Sequence, residues 1–187
     1  MSTHAIEAAP PRTTGDASSR HAPRFPGRWL AFLRITVGLW FLKGIVTKMS
    51  WFAFAGFIPL PRASDRWVNF LPRRLLEYAS QNPIEPYRQF LLDVAVPNAG
   101  VFAYLTAFGE TAVGIGLAFG LLTGYASIIG FFLMANYFMA SYWTGMCQQG
   151  FHALLMACML AFLGARAGRV WGVDGWLVRR YPRIPLI

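Results

Sequence analysis

Four apolar runs dominate the pattern of this chain: about Arg28–Lys48, Val101–Leu122, Tyr125–Trp143 and Phe151–Ala165. Each approaches the ~20 residues that an α-helix needs to cross ~30 Å of hydrocarbon. The pattern predicts an all-α fold, a four-helix transmembrane bundle. The second run carries Gly116, Gly120 and Gly124 at four-residue intervals, a row that allows close approach of another helix. The turn at Thr123-Gly124 is so short that the third run is expected to be an antiparallel neighbour of the second. Ala153, Ala157, Ala161 and Ala165 form a small-residue stripe on the fourth run, expected to pack.

Between the first two runs lies the one long connection, Ser50–Asn98, with charges of both signs and several prolines. Ser64 precedes an amphipathic stretch as a plausible N-cap, and the pattern continues beyond Pro72 to Ala79. A second stretch runs from Pro86 to Val96. With Trp51, Phe52, Phe54 and Phe57 nearby, this outer loop is expected to carry short interfacial helices. Residues 1–27, rich in Pro, Ser, Thr, Ala and Arg without apolar periodicity, read as a disordered cytoplasmic tail. Residues 28–177 form the membrane domain, in which Asp174 is placed to cap a short interfacial helix through Leu177. Residues 178–187 form a basic C-terminal tail.

Composition sharpens this picture. The 187 residues are 56% apolar and 13% charged, too greasy for an ordinary soluble domain. The net charge of +9 comes from few charges, clustered at the ends of the apolar runs. That is a membrane-protein profile and not a nucleic-acid-binding one. Four spans put both termini on one side, and Arg20, Arg24, Arg28 and the C-terminal arginines make that side the cytoplasm of a cell inner membrane. Two cysteines are too few for a disulfide framework or an iron–sulfur cluster. Cys147 reads as a bystander thiol on an outer turn and Cys158 as a packing residue.

The chemistry concentrates on Glu110, the only formal charge in the second run. A carboxylate at that depth must be neutral, paired or facing water. With ~1.5 Å per residue, it lies about 15 Å from the outer boundary, and Arg34 falls within roughly one turn of that level. Lys43 lies nearer the outer surface, where it can snorkel with Lys48. Arg34 is therefore the expected partner. Two readings of the pair stay open and are compatible: a tie between two helices, or the wall of a polar pocket for a quinone headgroup or a sulfur anion, with proton movement. His152, near the fourth run's outer end, is a candidate for bonding a quinone carbonyl, against the plainer reading of a satisfied interfacial histidine. Asn136, the strongly polar side chain of the third run, reads most simply as an interhelical hydrogen bond and is the second candidate contact. No phosphate-binding loop, metal-ligand cluster or nucleophile elbow stands in the sequence.

Several stretches resemble the DoxX/DoxD membrane proteins: Leu33-Arg34-Ile35 with Gly38 and Gly44–Lys48; Tyr87–Leu91 followed by Val96–Ala99; Gly109–Gly114 with Leu117 and Gly120–Thr123; and Ala167–Asp174. The resemblance spans about Arg28–Leu177. It implies a four-helix membrane bundle and quinone-linked oxidation of thiosulfate or related sulfur and thiol compounds, as in the large subunit of thiosulfate:quinone oxidoreductase. In that reading quinone is the electron acceptor, and no haem, flavin or iron–sulfur group is expected. Implied partners are membrane lipid and a small partner subunit or redox proteins, with the oligomeric state left open. Where relatives often carry arginine after Leu122-Thr123, this chain has Gly124, which weakens an anion site there. With no room in 187 residues for a fused small subunit, that partner is expected as a separate chain. The alternative is a non-catalytic membrane scaffold that docks redox proteins.

Overall fold

The computed structural model describes residues 27–54, 57–181, 183, 185 and 186. The expected tail at 1–27 lies, apart from Gly27, outside the described residues. Among the described residues stand four long apolar helices: α1 (Gly27–Lys48), α4 (Ala99–Phe119), α5 (Thr123–Ser141) and α6 (Met146–Gly164). Between α1 and α4 come an antiparallel hairpin, β1 (Met49–Phe54) and β2 (Ile58–Ala63), and two amphipathic helices. These are α2 (Asp65–Ser80) and α3 (Glu85–Phe90), the latter extended by a π turn over Leu91–Ala95. A short α7 (Asp174–Arg180) closes the described chain, so the basic segment placed at 178 begins inside a helix.

The hairpin is an addition to the expected all-helical architecture. Pro59 and Pro61 argue against a strand, but a two-stranded hairpin has only edge strands, where proline is tolerated. Its base folds the chain back sharply: the Ser64 amide donates to the Lys48 carbonyl at 2.8 Å. The Ser64 hydroxyl accepts from the Trp67 amide at 3.3 Å and caps α2 as expected. The hairpin thus returns α2 over the end of α1.

Helices α1 and α4 pack through glycine. A Cβ on Gly38 would collide with the Ala118 backbone, one on Gly114 would lie 2.8 Å from the Leu42 amide, and one on Gly44 would lie 2.9 Å from Glu110 Oε2. This antiparallel ladder sets Lys48 level with about Thr106, so α4 continues past α1 by roughly 10 Å at 1.5 Å per residue. The overhang is roofed by α2, whose Trp67 indole donates to the Ala103 carbonyl and the Thr106 hydroxyl, both at 3.2 Å. Asn82 Nδ2 donates to the Met139 carbonyl at 3.0 Å and ties the α2–α3 link to α5.

The row Gly116–Gly120–Gly124 does not seat a single helix. Gly116 faces Ala126, Gly120 takes a left-handed φ of 62° at the end of α4, and Gly124 lies inside α5. The α4–α5 turn therefore sits at Gly120–Leu122, earlier than expected. Leu121 N→Gly116 O at 2.9 Å and Gly120 N→Leu117 O at 3.3 Å close a Schellman motif there. The alanine stripe of α6 is likewise exposed, while His152, Leu155, Cys158, Met159 and Phe162 face the core. With Val37, Phe41, Val113, Leu117 and Met134 they fill the bundle.

Replacing Gly38 with alanine must push α1 off the α4 backbone. We expect a loss of about 1–3 kcal/mol, read as a lower midpoint of thermal unfolding in lipid nanodiscs. On α3, the Tyr87 hydroxyl donates to the Asn136 carbonyl at 3.0 Å. Burial pushes this phenol from 10.0 up to about 12. Its docked, neutral form is fully favoured below pH 10 and loses ground as pH rises towards 12. The protection of α3 from proteolysis should fall over that window in the native protein and should not respond in Tyr87→Phe.

Candidate functional site

Glu110 is buried, but its partner is not Arg34. Its Oε1 accepts from Lys48 Nζ at 2.5 Å and from the Tyr137 hydroxyl at 2.7 Å. The Lys48 ammonium also lies 4.3 Å from the centre of the Trp67 ring and 5.6 Å from that of Tyr137. Carboxylate and ring faces together replace the water this ammonium gives up. Four elements meet at one charge pair: α1 supplies the lysine, α4 the acid, α5 the tyrosine and α2 the tryptophan.

Arg34 lies at the opposite end of the bundle. Fully buried, it donates through Nη2 to the carbonyls of Trp171 at 3.0 Å and Val170 at 3.4 Å, with the charge of Asp174 acting on it. Asp174 in turn accepts from the Leu122 and Thr123 amides at 2.7 and 2.8 Å. It caps the amino-terminal end of α5 as well as standing first in its own α7. Arg34 and Asp174 thus fasten the segment after α6 to the α4–α5 turn.

The mistaken pairing has a plain cause. Depth counting sets the outer ends of α1 and α4 level, whereas α4 overshoots by about two turns. The acid therefore reaches the last residue of α1, and the arginine sits level with Gly120. By position alone Lys48 is an interfacial lysine; the signal that it does more is Gly44, one turn earlier, which leaves room for the carboxylate. Trp67 carries no sequence signal beyond its place on an amphipathic helix. Lys43, by contrast, rests on Trp40 with Nζ 4.1 Å from the ring centre.

Two cavities flank the pair. The larger, about 360 Å³, lies between the α2–α3 roof and helices α4 and α5. Trp67, Phe70, Phe90, Phe102, Leu105 and Phe132 give it aromatic and aliphatic walls, and Lys48, Tyr137, Gln148 and His152 bring polar groups. The smaller, about 290 Å³, lies between α1 and α6 and is lined by Trp40, Lys43, Gly44, Thr47, Glu110 and Phe151, again with Lys48, Tyr137 and His152. His152 is buried, with its ring edge-on to Tyr137 at 6.1 Å. The Gln148 carbonyl lies near the imidazole, but no hydrogen bond of sound geometry reaches Nδ1. Asn136 also lines the larger cavity, with its amide turned back onto the Phe132 carbonyl of its own helix at 2.8 Å, not across to another.

Removing Lys48 strands a buried carboxylate. Lys48→Met should cost about 3–5 kcal/mol, and adding Glu110→Gln should recover more than about 1 kcal/mol of it in a double-mutant cycle. The corresponding cycle between Arg34→Met and Glu110→Gln should show coupling under about 0.5 kcal/mol. Denaturant unfolding of the reconstituted protein measures both.

The profile described as TQO small subunit DoxD matches residues 29–185, most of the chain. That description makes DoxD the small subunit, where the resemblance suggests the large one. No solved structure matches the chain. Four apolar helices of membrane-spanning length and a family match over nearly the whole described region agree: the chain is a multi-pass membrane protein and belongs to the DoxD family.

Proposed function

We propose that this protein is the membrane subunit of a quinone-linked oxidoreductase, and that the larger cavity takes the quinone headgroup as substrate. One observation carries the reading: a cavity of about 360 Å³ with mostly apolar walls, rich in aromatic rings, converges on Lys48, Tyr137 and His152. Its size falls within the range of small-molecule sites, ~300–1,000 Å³. Flat rings such as Trp67, Phe90 and Phe102 suit a planar headgroup. The ammonium and imidazole suit its carbonyl oxygens, which gain charge and then protons on reduction, and the Tyr137 hydroxyl joins them by turning from Glu110. Leu105 and Phe132 line the cavity while being 58% and 65% exposed, which suits access for a lipid-dissolved molecule between α4 and α5.

The electron donor in this reading is thiosulfate or a related sulfur or thiol compound, following the family description, with a partner subunit supplied as a separate chain. The orientation proposed puts both termini in the cytoplasm of a cell inner membrane, because Arg166, Arg169, Arg179 and Arg180 gather at the end opposite the hairpin. Arg34 then belongs to the fastening of the cytoplasmic end and not to the quinone site.

Decylubiquinone added to the protein in nanodiscs should quench tryptophan fluorescence, and Trp67→Phe should remove the quenched component. Tyr137→Phe and His152→Leu should each weaken binding about tenfold, the value of one lost hydrogen bond of ~1.4 kcal/mol. Leu154→Ala, on the exposed face of α6, should leave it unchanged. Saturable binding that ignores both site substitutions, or no binding at all, favours the scaffold role over the quinone-reactive one.

A further inference from the structure

The two cavities are not equivalent, and Glu110 marks the difference. Lys48, Tyr137 and His152 line both, whereas Glu110 lines only the smaller. Among the described residues, both hydrogen bonds to the carboxylate end on Oε1. Oε2 faces Gly44, where any side chain would lie against it. The acid therefore has one oxygen engaged by the two groups that reach the larger cavity and the other turned towards the smaller.

We propose that the smaller cavity is a proton port and that Glu110 carries protons from it to the larger cavity. The proposal rests on the quinone reading above. Reducing a quinone to a quinol takes two electrons, here from a sulfur or thiol reductant, and two protons. Each proton leaves Lys48 Nζ or the Tyr137 hydroxyl for a ligand oxygen, breaking an N–H or O–H bond and forming an O–H bond. The donor that has given up its proton is then refilled through Glu110, the group both donors bond. A hydronium ion reaching the smaller cavity from bulk water gives a proton to Oε2, one of its O–H bonds breaking as the carboxyl O–H forms and neutral water remaining. A half-turn of the carboxyl group about Cγ–Cδ brings it to the side of Lys48 and Tyr137, and the 2.5 and 2.7 Å contacts return it to whichever donor gave one up. Two such passes balance one quinol.

The groups facing this path come from each neighbouring helix. Lys43 and Lys48 stand on α1, Tyr137 on α5 and His152 on α6, and Tyr78 of α2 acts on Tyr137. Thr47 and Lys43 are exposed residues that line the smaller cavity, so it opens to the surface near the hairpin end of α1. Gly44 is required not for a backbone bend, since α1 is regular there, but as clearance for the turning carboxyl.

Voltammetry of decylubiquinone bound to the protein in nanodiscs tests this without any natural donor. The readout is the scan rate at which the proton-coupled wave splits, in water and in deuterium oxide. Gly44→Ala should bind decylubiquinone within about twofold of the unmodified protein, yet split at a scan rate at least tenfold lower, and Glu110→Gln, compared at equal bound decylubiquinone, should split at least tenfold lower too. Gly44→Ala keeps the charges of the ion pair and its one tight contact is with the end of a flexible side chain, Glu110 Oε2, so it decides the matter if Glu110→Gln fails to insert. In a Cys147→Ser background, Thr47→Cys should react with a membrane-impermeant maleimide, and the adduct should slow the wave as Gly44→Ala does. Unchanged scan rates in both variants, or a Thr47→Cys that the reagent cannot reach, overturn the relay while leaving the quinone site standing. Absence of binding and of any wave in the unmodified protein overturns the quinone reading and the relay together.

Discussion

A single charge pair in a greasy bundle sets the terms for everything around it. Glu110 and Lys48 meet at 2.5 Å with side chains only 11% and 16% exposed. Neither would be tolerable alone at that depth, because a desolvated charge without its partner costs several kcal/mol. Tyr137 and Trp67 complete the enclosure, one by a hydrogen bond and one by its ring face. The hairpin has its reason here: it loops out and back so that Ser64, at the start of α2, bonds the Lys48 carbonyl and α2 returns over Lys48.

Glycine makes that meeting geometrically possible. Gly38 and Gly114 let the α1 and α4 backbones approach, and Gly44 gives the carboxylate its space. The same ladder fixes the stagger, so about a third of α4, at the hairpin side, is left for α2 and α3 to cover. A covered overhang becomes a cavity wall, and the cavity ends on the charge pair. At the far end, Arg34 and Asp174 hold the chain after α6 against the α4–α5 turn and satisfy its free amides. Two buried charged clusters at opposite ends of one bundle thus divide the labour, one closing the fold and one facing both cavities.

The spans and their order are legible because hydrocarbon thickness demands long uninterrupted apolar runs, and those runs stand plainly in the sequence. Boundaries move by a few residues, most at α6, which starts at Met146 because Gly145 alone separates it from the preceding turn. Ser64 as the cap of α2 is also legible, since the capping hydroxyl and its amide are three residues apart. Local chemistry of that kind needs no knowledge of the rest of the chain.

The order of residues alone says that Glu110 must be neutral, paired or facing water, and it offers cations on another span as partners. Which cation is a question of relative height between two helices, and height is set by how far their glycines let them slide before side chains lock. The roof of α2, the hairpin under it and the division of the interior into two cavities follow from that same contact. A linear pattern records which face of a helix is apolar; the packed bundle settles which residue stands opposite it.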